Sequence, residues 1–130
     1  MKTIFYIALG GGLGSVLRYL TSVVMNKYVQ ATFPYATFVT NIIGCLLIGL
    51  FFGYLEKQNA VSQDLKFFLI TGLCGGYTTF SAFSNENVQL LQSNQILVAF
   101  LYISLSVFLG LMATWAGLMI TKGLWKKFSL

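Results

Sequence analysis

The chain has 130 residues, of which 57% are hydrophobic and only 8% charged, and its formal net charge is +5. A soluble domain carries about 25% charged residues, so this composition excludes an ordinary water-soluble protein and favours lipid as the surrounding medium. The positive charge does not indicate nucleic-acid binding, because most of the basic residues flank apolar stretches, where they suit lipid headgroups. These residues are Lys2, Lys57, Lys66, Lys122, Lys126 and Lys127.

Four apolar stretches are long enough to cross a bilayer, which takes about 20 residues in a helix. They are roughly Ile4–Met25, Tyr35–Leu55, Phe67–Leu91 and Ile96–Thr121. Because the connections are short, neighbouring helices should run antiparallel and both termini should lie on one side. We therefore predict an all-α membrane protein with a single transmembrane domain, residues 1–130. A bundle this thin can hardly enclose a polar path, so we also expect an oligomer.

The first stretch contains the glycine-rich segment Gly10-Gly11-Gly12-Leu13-Gly14, followed by Arg18. Glycines four residues apart let membrane helices pack closely, which is the main source of helix association in lipid. The same spacing recurs at Gly49 and Gly53 and at Gly72 and Gly76. These pairs predict close helix crossings, and Arg18 places a fixed positive charge in the outer third of the first helix.

Polar residues recur at helical spacing in the second and fourth stretches. The first set is Thr37, Asn41 and Gly44, and the second is Tyr102, Ser106 and Gly110. Residues spaced in this way share one helix face. Because polar groups inside a membrane are costly, such stripes indicate a functional site.

The third stretch is interrupted near its centre by Gly75-Gly76-Tyr77-Thr78-Thr79. These residues are poor helix formers, so we predict a broken helix close to the bilayer midplane. Irregular backbone at that depth must be buried in protein or line a cavity. Two interpretations stay open: freed carbonyls that hold a cation, or a glycine kink that threonine hydroxyls stabilise.

After the break, Phe80 and Phe83 share a helix face and are interleaved with Ser81, Ser84 and Asn87. Together with the two stripes, these groups offer neutral hydrogen-bond donors and aromatic edges, which suit a small anion. The sequence has no histidine. Glu86 is the only acid in a predicted span, so acid–base catalysis lacks its usual groups and we do not expect an enzyme.

The sequence resembles the Fluc (CrcB) fluoride channels over essentially its whole length. The resemblance rests on Gly11-Gly12-x-Gly14 with Arg18, on Asn41-Ile-Ile-Gly44, and on the segment from Gly72 to Ser84. It implies a fluoride-selective channel that exports fluoride passively from the cytoplasm, built as an antiparallel, dual-topology dimer with two pores. It also implies a structural Na⁺ at the dimer centre, held by the backbone carbonyls of Gly75 and Thr78.

The resemblance further implies the residues of the fluoride pathway. Phe80 and Phe83 match a pair of aromatic residues whose electropositive ring edges face the anion. The other implied or predicted pathway residues are Arg18, Thr37, Asn41, Thr79, Ser81, Glu86 and Tyr102.

The distribution of positive charge predicts the orientation in the cell membrane. The lysines listed above fall on the side of the termini, and only Lys27 falls clearly on the other side. The positive-inside rule then places the termini in the cytoplasm. We therefore expect a heterodimer with an oppositely oriented homologue, unless weak sorting still permits a dual-topology homodimer.

Two other function classes are compatible with four short helices. A proton-coupled drug exporter would need an acidic residue deep in the first helix, where this sequence has Arg18. A non-transporting assembly subunit would explain the glycine pairs but not the helix break or the polar stripes.

Overall fold

The computed structural model describes residues 1–58 and 61–128; the side chains of 124–128, including Lys126 and Lys127, lie outside the described part. Every regular element in that part is a helix, which confirms the all-α prediction. Helix α1 is Lys2–Tyr28 and α2 is Tyr35–Leu55. Helix α3 consists of three consecutive segments, Gln63–Lys66, the π-helical Phe67–Cys74 and Gly75–Tyr77. Helix α4 is Phe80–Gln92 and α5 is Ile96–Phe128.

Three helices of the described part are long and apolar enough to cross a membrane: α1, α2 and the Ile96–Gly123 part of α5. Their outer faces carry many exposed large apolar side chains, as lipid-facing helices do. Helices α3 and α4 together take the place of the remaining predicted span. Four spans with a broken third one therefore fit the structure.

Helices α1 and α3 are packed backbone against backbone. A Cβ atom on Gly10 would collide with the Phe68 carbonyl oxygen, and one on Gly14 with the Leu73 carbonyl oxygen. From the other side, a Cβ on Gly76 would collide with the Gly11 carbonyl oxygen. The glycine spacing therefore forms an intrachain crossing between these two helices.

A second close crossing joins α2 and α5. A Cβ on Gly49 would collide with the Thr114 carbonyl oxygen, and one on Gly117 would lie 2.6 Å from the Leu46 carbonyl oxygen. The Thr114 hydroxyl also donates to the Cys45 carbonyl oxygen at 3.1 Å. The molecule thus consists of two glycine-packed helix pairs, α1 with α3 and α2 with α5.

The break in the third span lies at Thr78 and Thr79, whose backbones are extended. The Thr78 hydroxyl donates to the Cys74 carbonyl oxygen at 2.9 Å, at the end of α3. The Thr79 hydroxyl accepts from the Ala82 amide at 3.2 Å and caps the start of α4. Gly75 and Gly76 remain helical, so the interruption is confined to the last two residues of the predicted segment.

The ends of the helices are aligned as the short connections require. The Thr3 hydroxyl donates to Asp64 Oδ1 at 3.1 Å, which joins the start of α1 to the start of α3. Lys57 Nζ donates to the Thr121 carbonyl oxygen at 3.3 Å, which joins the end of α2 to the last turns of α5.

Candidate ion path at the helix break

A groove with a volume of about 370 Å³ lies beside the helix break, between α2, α3, α4 and α5. Its walls combine hydrogen-bonding groups with aromatic rings, among them Asn41, Thr78, Thr79, Phe80, Phe83 and Ser106. Asn41 and Ser106 belong to the two polar stripes, Thr78 and Thr79 to the break, and Phe80 and Phe83 to the aromatic pair that follows it. The break, the second-helix stripe and the fourth-helix stripe therefore meet in one place.

Asn41 fixes the backbone of the break. Its Oδ1 accepts from the Thr79 amide at 2.8 Å, and its Nδ2 donates to the Thr79 carbonyl oxygen at 3.1 Å. Thr79 is 8% exposed, so these backbone groups have little access to solvent. Because Nδ2 carries two hydrogens and this pair uses one, Asn41 has a further donor to offer to a ligand.

Glu86 is held between two hydroxyl groups. Thr37 Oγ1 donates to its Oε1 at 2.6 Å, and the Tyr102 hydroxyl donates to its Oε2 at 2.7 Å. Both partners are buried, Tyr102 completely. Helices α2, α4 and α5 are therefore linked at this level by one carboxylate.

The aromatic rings continue this network towards the groove. The rings of Phe83 and Tyr102 have centroids 4.9 Å apart and meet at 62°, so an edge of one ring faces the other. The Phe80 ring lies 5.7 Å from that of Phe83. Phe80 is 79% exposed, whereas Phe83 is half-buried. The two rings thus lead from the surface of the chain to the buried hydroxyl of Tyr102.

A second cavity, of about 220 Å³, lies near the other end of this network. Its walls include Thr37 and Glu86, together with Ser22 and Asn26 from the last turns of α1. The Thr37–Glu86–Tyr102 network therefore lies between the two cavities. Sequence reasoning missed Ser22 and Asn26; their polarity near the end of an apolar stretch was the available signal.

Two predicted pathway residues lie at the margin of this arrangement. Arg18 is half-buried on α1 and lines neither cavity, although the Ser22 hydroxyl donates to its carbonyl oxygen at 3.0 Å. Ser81 is exposed, and its hydroxyl lies 3.2 Å from that of Thr79. The structure thus brings Ser81 beside the break, whereas Arg18 lines neither of the two cavities.

The carbonyl groups of Gly75 and Thr78 have lost their usual helical donors. In a continuous helix the Thr79 amide would donate to Gly75 and the Ala82 amide to Thr78. Here the Thr79 amide donates to Asn41 instead, and the Ala82 amide to the Thr79 hydroxyl. Carbonyl oxygens are ligands that hard cations take, so these two atoms are the ones that would hold an Na⁺. Among the described residues, no cluster of three His, Cys, Asp or Glu side chains could hold a metal ion.

The fold and the site define a multi-pass membrane protein with a polar path between its helices. Residues 5–118 match the sequence profile of the family described as "CrcB-like protein, Camphor Resistance (CrcB)". The chain belongs to this family.

The relatives in this family are named as channels. A "Fluoride-specific ion channel FluC" of Flavobacterium psychrophilum is 90% identical over 124 residues, 95% of this chain and 100% of the relative. Proteins of the same name in Bacteroides fragilis and Pseudomonas fluorescens are 45% and 42% identical. These matches cover 90% and 93% of this chain, and 94% and 98% of the respective relatives. The family is thus one of ion channels, not of enzymes.

Proposed function

We propose that this chain forms a fluoride-selective ion channel through which fluoride leaves the cytoplasm passively. The observation that carries the proposal is the groove at the helix break, where the rings of Phe80 and Phe83 stand beside the neutral donors Asn41 and Ser106. The names of relatives up to 90% identical to this chain support fluoride as the ion.

The chemistry of the groove suits a small anion that must lose part of its water. Ring edges carry partial positive charge, and amide and hydroxyl groups donate hydrogen bonds. A full positive charge at the same depth would hold the ion too firmly, because conduction requires that an ion can also leave. Arg18 lies outside the groove, which leaves its walls neutral.

Glu86 is the group on the path that an anion would find repulsive. Its two carboxylate oxygens accept from Thr37 and Tyr102, so both hydroxyl hydrogens point at the carboxylate. A fluoride ion at this level would compete with the carboxylate for the same two donors. We propose that the ion passes here by exchanging donors with Glu86.

Passive conduction is favoured over proton-coupled export. A proton relay in a membrane needs a series of titratable groups. The sequence has three acidic residues and no histidine, and only Glu86 lies within a predicted span. The assembly-subunit alternative is also disfavoured, because the glycine pairs that it would explain are used within the chain, between α1 and α3 and between α2 and α5.

The active unit that we propose is an antiparallel dimer with two pores. One chain leaves Phe80 79% exposed at the side of an open groove, and a second copy or homologue could cover it. In such a dimer each chain would contribute the Gly75 and Thr78 carbonyl oxygens to one central structural Na⁺. Four carbonyl oxygens from two broken helices would then form the cation site.

The distribution of lysines supports a proposal for the orientation of the chain in the membrane and for its partner. We propose insertion in the cell membrane with the termini in the cytoplasm, as a heterodimer with an oppositely oriented homologue or as a dual-topology homodimer. The Thr3–Asp64 and Lys57–Thr121 contacts join the helix ends near which Lys2, Lys57 and Lys66 lie, so these lysines are on one side of the molecule. Lys27, in contrast, is in the last turn of α1.

Fluoride efflux from liposomes, read with a fluoride electrode, tests the function. The protein is reconstituted alone and with any partner homologue, and wild-type dimer should release trapped fluoride. Phe80→Ile should reduce the rate strongly because it removes the ring edge, whereas Phe5→Ile should not. Phe5 is a suitable control because it is 64% exposed, close to the 79% of Phe80. Absence of efflux from well-folded dimer would contradict the proposal.

A further inference from the structure

Cys45 lies on the face of α2 that already carries two site residues. Thr37, Asn41 and Cys45 are spaced four residues apart, so they follow one face of the helix. Thr37 donates to Glu86, and Asn41 holds the backbone of Thr79. Cys45 is half-buried and lines the groove together with Asn41.

The opposite wall, on α5, carries a small residue and then a glycine near this level. Tyr102, Ser106 and Gly110 share one face of α5. The Ser106 hydroxyl is buried without a hydrogen-bond partner in the described part of the chain, and Gly110 has no side chain. A Cβ atom on Gly110 would lie 3.4 Å from Cys45 Sγ. The sulfur atom therefore occupies the space beside Gly110 where a longer α5 residue would extend.

We infer that the Cys45 thiol is part of the wall of the ion path and offers it a donor from α2, at the level where Gly110 leaves α5 without a side chain. This inference rests on the proposed function. A thiol is a weak hydrogen-bond donor and a polarisable group, so it can face an anion without a fixed charge. The hydrogen bond from Thr114 to the Cys45 backbone fixes the spacing of the two helices at this level. The path then runs from Ser106 to Cys45.

Substitutions that exchange the donor between the two helices test this role. Cys45→Ala should lower fluoride efflux from liposomes by about fivefold, the effect of losing one hydrogen bond. Cys45→Ser should keep efflux close to the wild-type rate, because a hydroxyl also donates. The double variant Cys45→Ala/Gly110→Ser should recover most of the loss, since the new α5 hydroxyl enters the space that the sulfur leaves.

Ser104→Ala is the control. This hydroxyl is exposed on α5 and lines neither cavity, so its removal should leave the efflux rate of folded dimer unchanged. Size-exclusion chromatography of each variant verifies that it remains a dimer. A wild-type rate in Cys45→Ala would overturn the inference. An equal loss in Cys45→Ser without recovery in the double variant would also overturn it, because that result indicates packing alone. If wild-type protein shows no efflux, the proposed function fails and the role of Cys45 fails with it.

Discussion

At the scale of single residues, Asn41 shows how one side chain determines the backbone of another helix. Its amide pairs with both the N–H and the C=O of Thr79, as a neighbouring strand would. The Thr79 amide is thereby diverted from Gly75, and the helix cannot continue. Asn41 is therefore part of the cause of the helix break and lines the groove that results.

We predict that Asn41→Ala destabilises the folded protein by about 2 kcal/mol or more, since two backbone groups of the buried Thr79 lose their partners. Thermal denaturation in detergent measures this effect. Asn85→Ala serves as the control, because Asn85 is an exposed amide on α4 and its loss should leave the midpoint unchanged. An equal midpoint for the two variants would contradict the role given to Asn41.

The identity of the polar site residues could be predicted from the sequence, but their hydrogen-bond partners could not. The spacing of Thr37, Asn41 and Tyr102 placed them on helix faces, and their polarity in an apolar stretch marked them. That Thr37 and Tyr102 both donate to Glu86 depends on the mutual rotation of three helices. The spacing of residues shows which side chains share a face of one helix. It does not show which side chains of different helices form hydrogen bonds with each other.

At the scale of helices, the glycines and the threonines of the third span have different roles. The sequence predicts a break within the five residues from Gly75 to Thr79, all poor helix formers, and glycine is the poorest of them. Gly75 and Gly76 are both helical, and Gly76 is used to contact the backbone of α1. The break falls at Thr78 and Thr79, whose hydroxyls bond to the ends of α3 and α4. Packing against α1 therefore outweighs the local propensity of the glycines.

We predict that Gly10→Ala and Gly12→Ala differ sharply, although both change a glycine of α1. A Cβ on Gly10 would collide with the backbone of α3, whereas nothing lies within 4 Å of a Cβ on Gly12. Overpacking costs about 1–3 kcal/mol, while alanine in an open helical position is favourable. Denaturation in detergent should therefore show a lower midpoint for Gly10→Ala only. Equal midpoints would contradict the close crossing of α1 and α3.

At the scale of the whole molecule, a single chain leaves part of the groove uncovered. Phe80 is largely exposed, and the Gly75 and Thr78 carbonyls lack their helical donors. The low charge of the sequence predicts lipid, and the thinness of a four-helix bundle predicts an oligomer. The geometry of a partner depends on contacts that one sequence does not contain.

We predict that Na⁺ stabilises the dimer. A ligand present at a hundred times its dissociation constant adds about 2.7 kcal/mol to the stability of the state that binds it. Denaturation in detergent with NaCl should therefore occur at a higher temperature than with N-methylglucamine chloride at the same ionic strength. The organic cation is too large for a site made of four carbonyl oxygens. Equal midpoints in the two salts would contradict the proposed cation site.

The orientation of the chain provides a last prediction at this scale. Helix α5 begins after the short turn at Ser93 and ends on the side of the N-terminus, so one tag at the C-terminus reports the whole topology. If the uneven distribution of lysines determines the orientation of the chain, an impermeant reagent should label that tag from the cytoplasmic side only. Fluoride efflux should then require an oppositely oriented homologue. The variant Lys2→Gln/Lys66→Gln/Lys122→Gln weakens the bias and should give labelling from both sides. Equal labelling of the wild-type tag from both sides would contradict the heterodimer and favour a dual-topology homodimer.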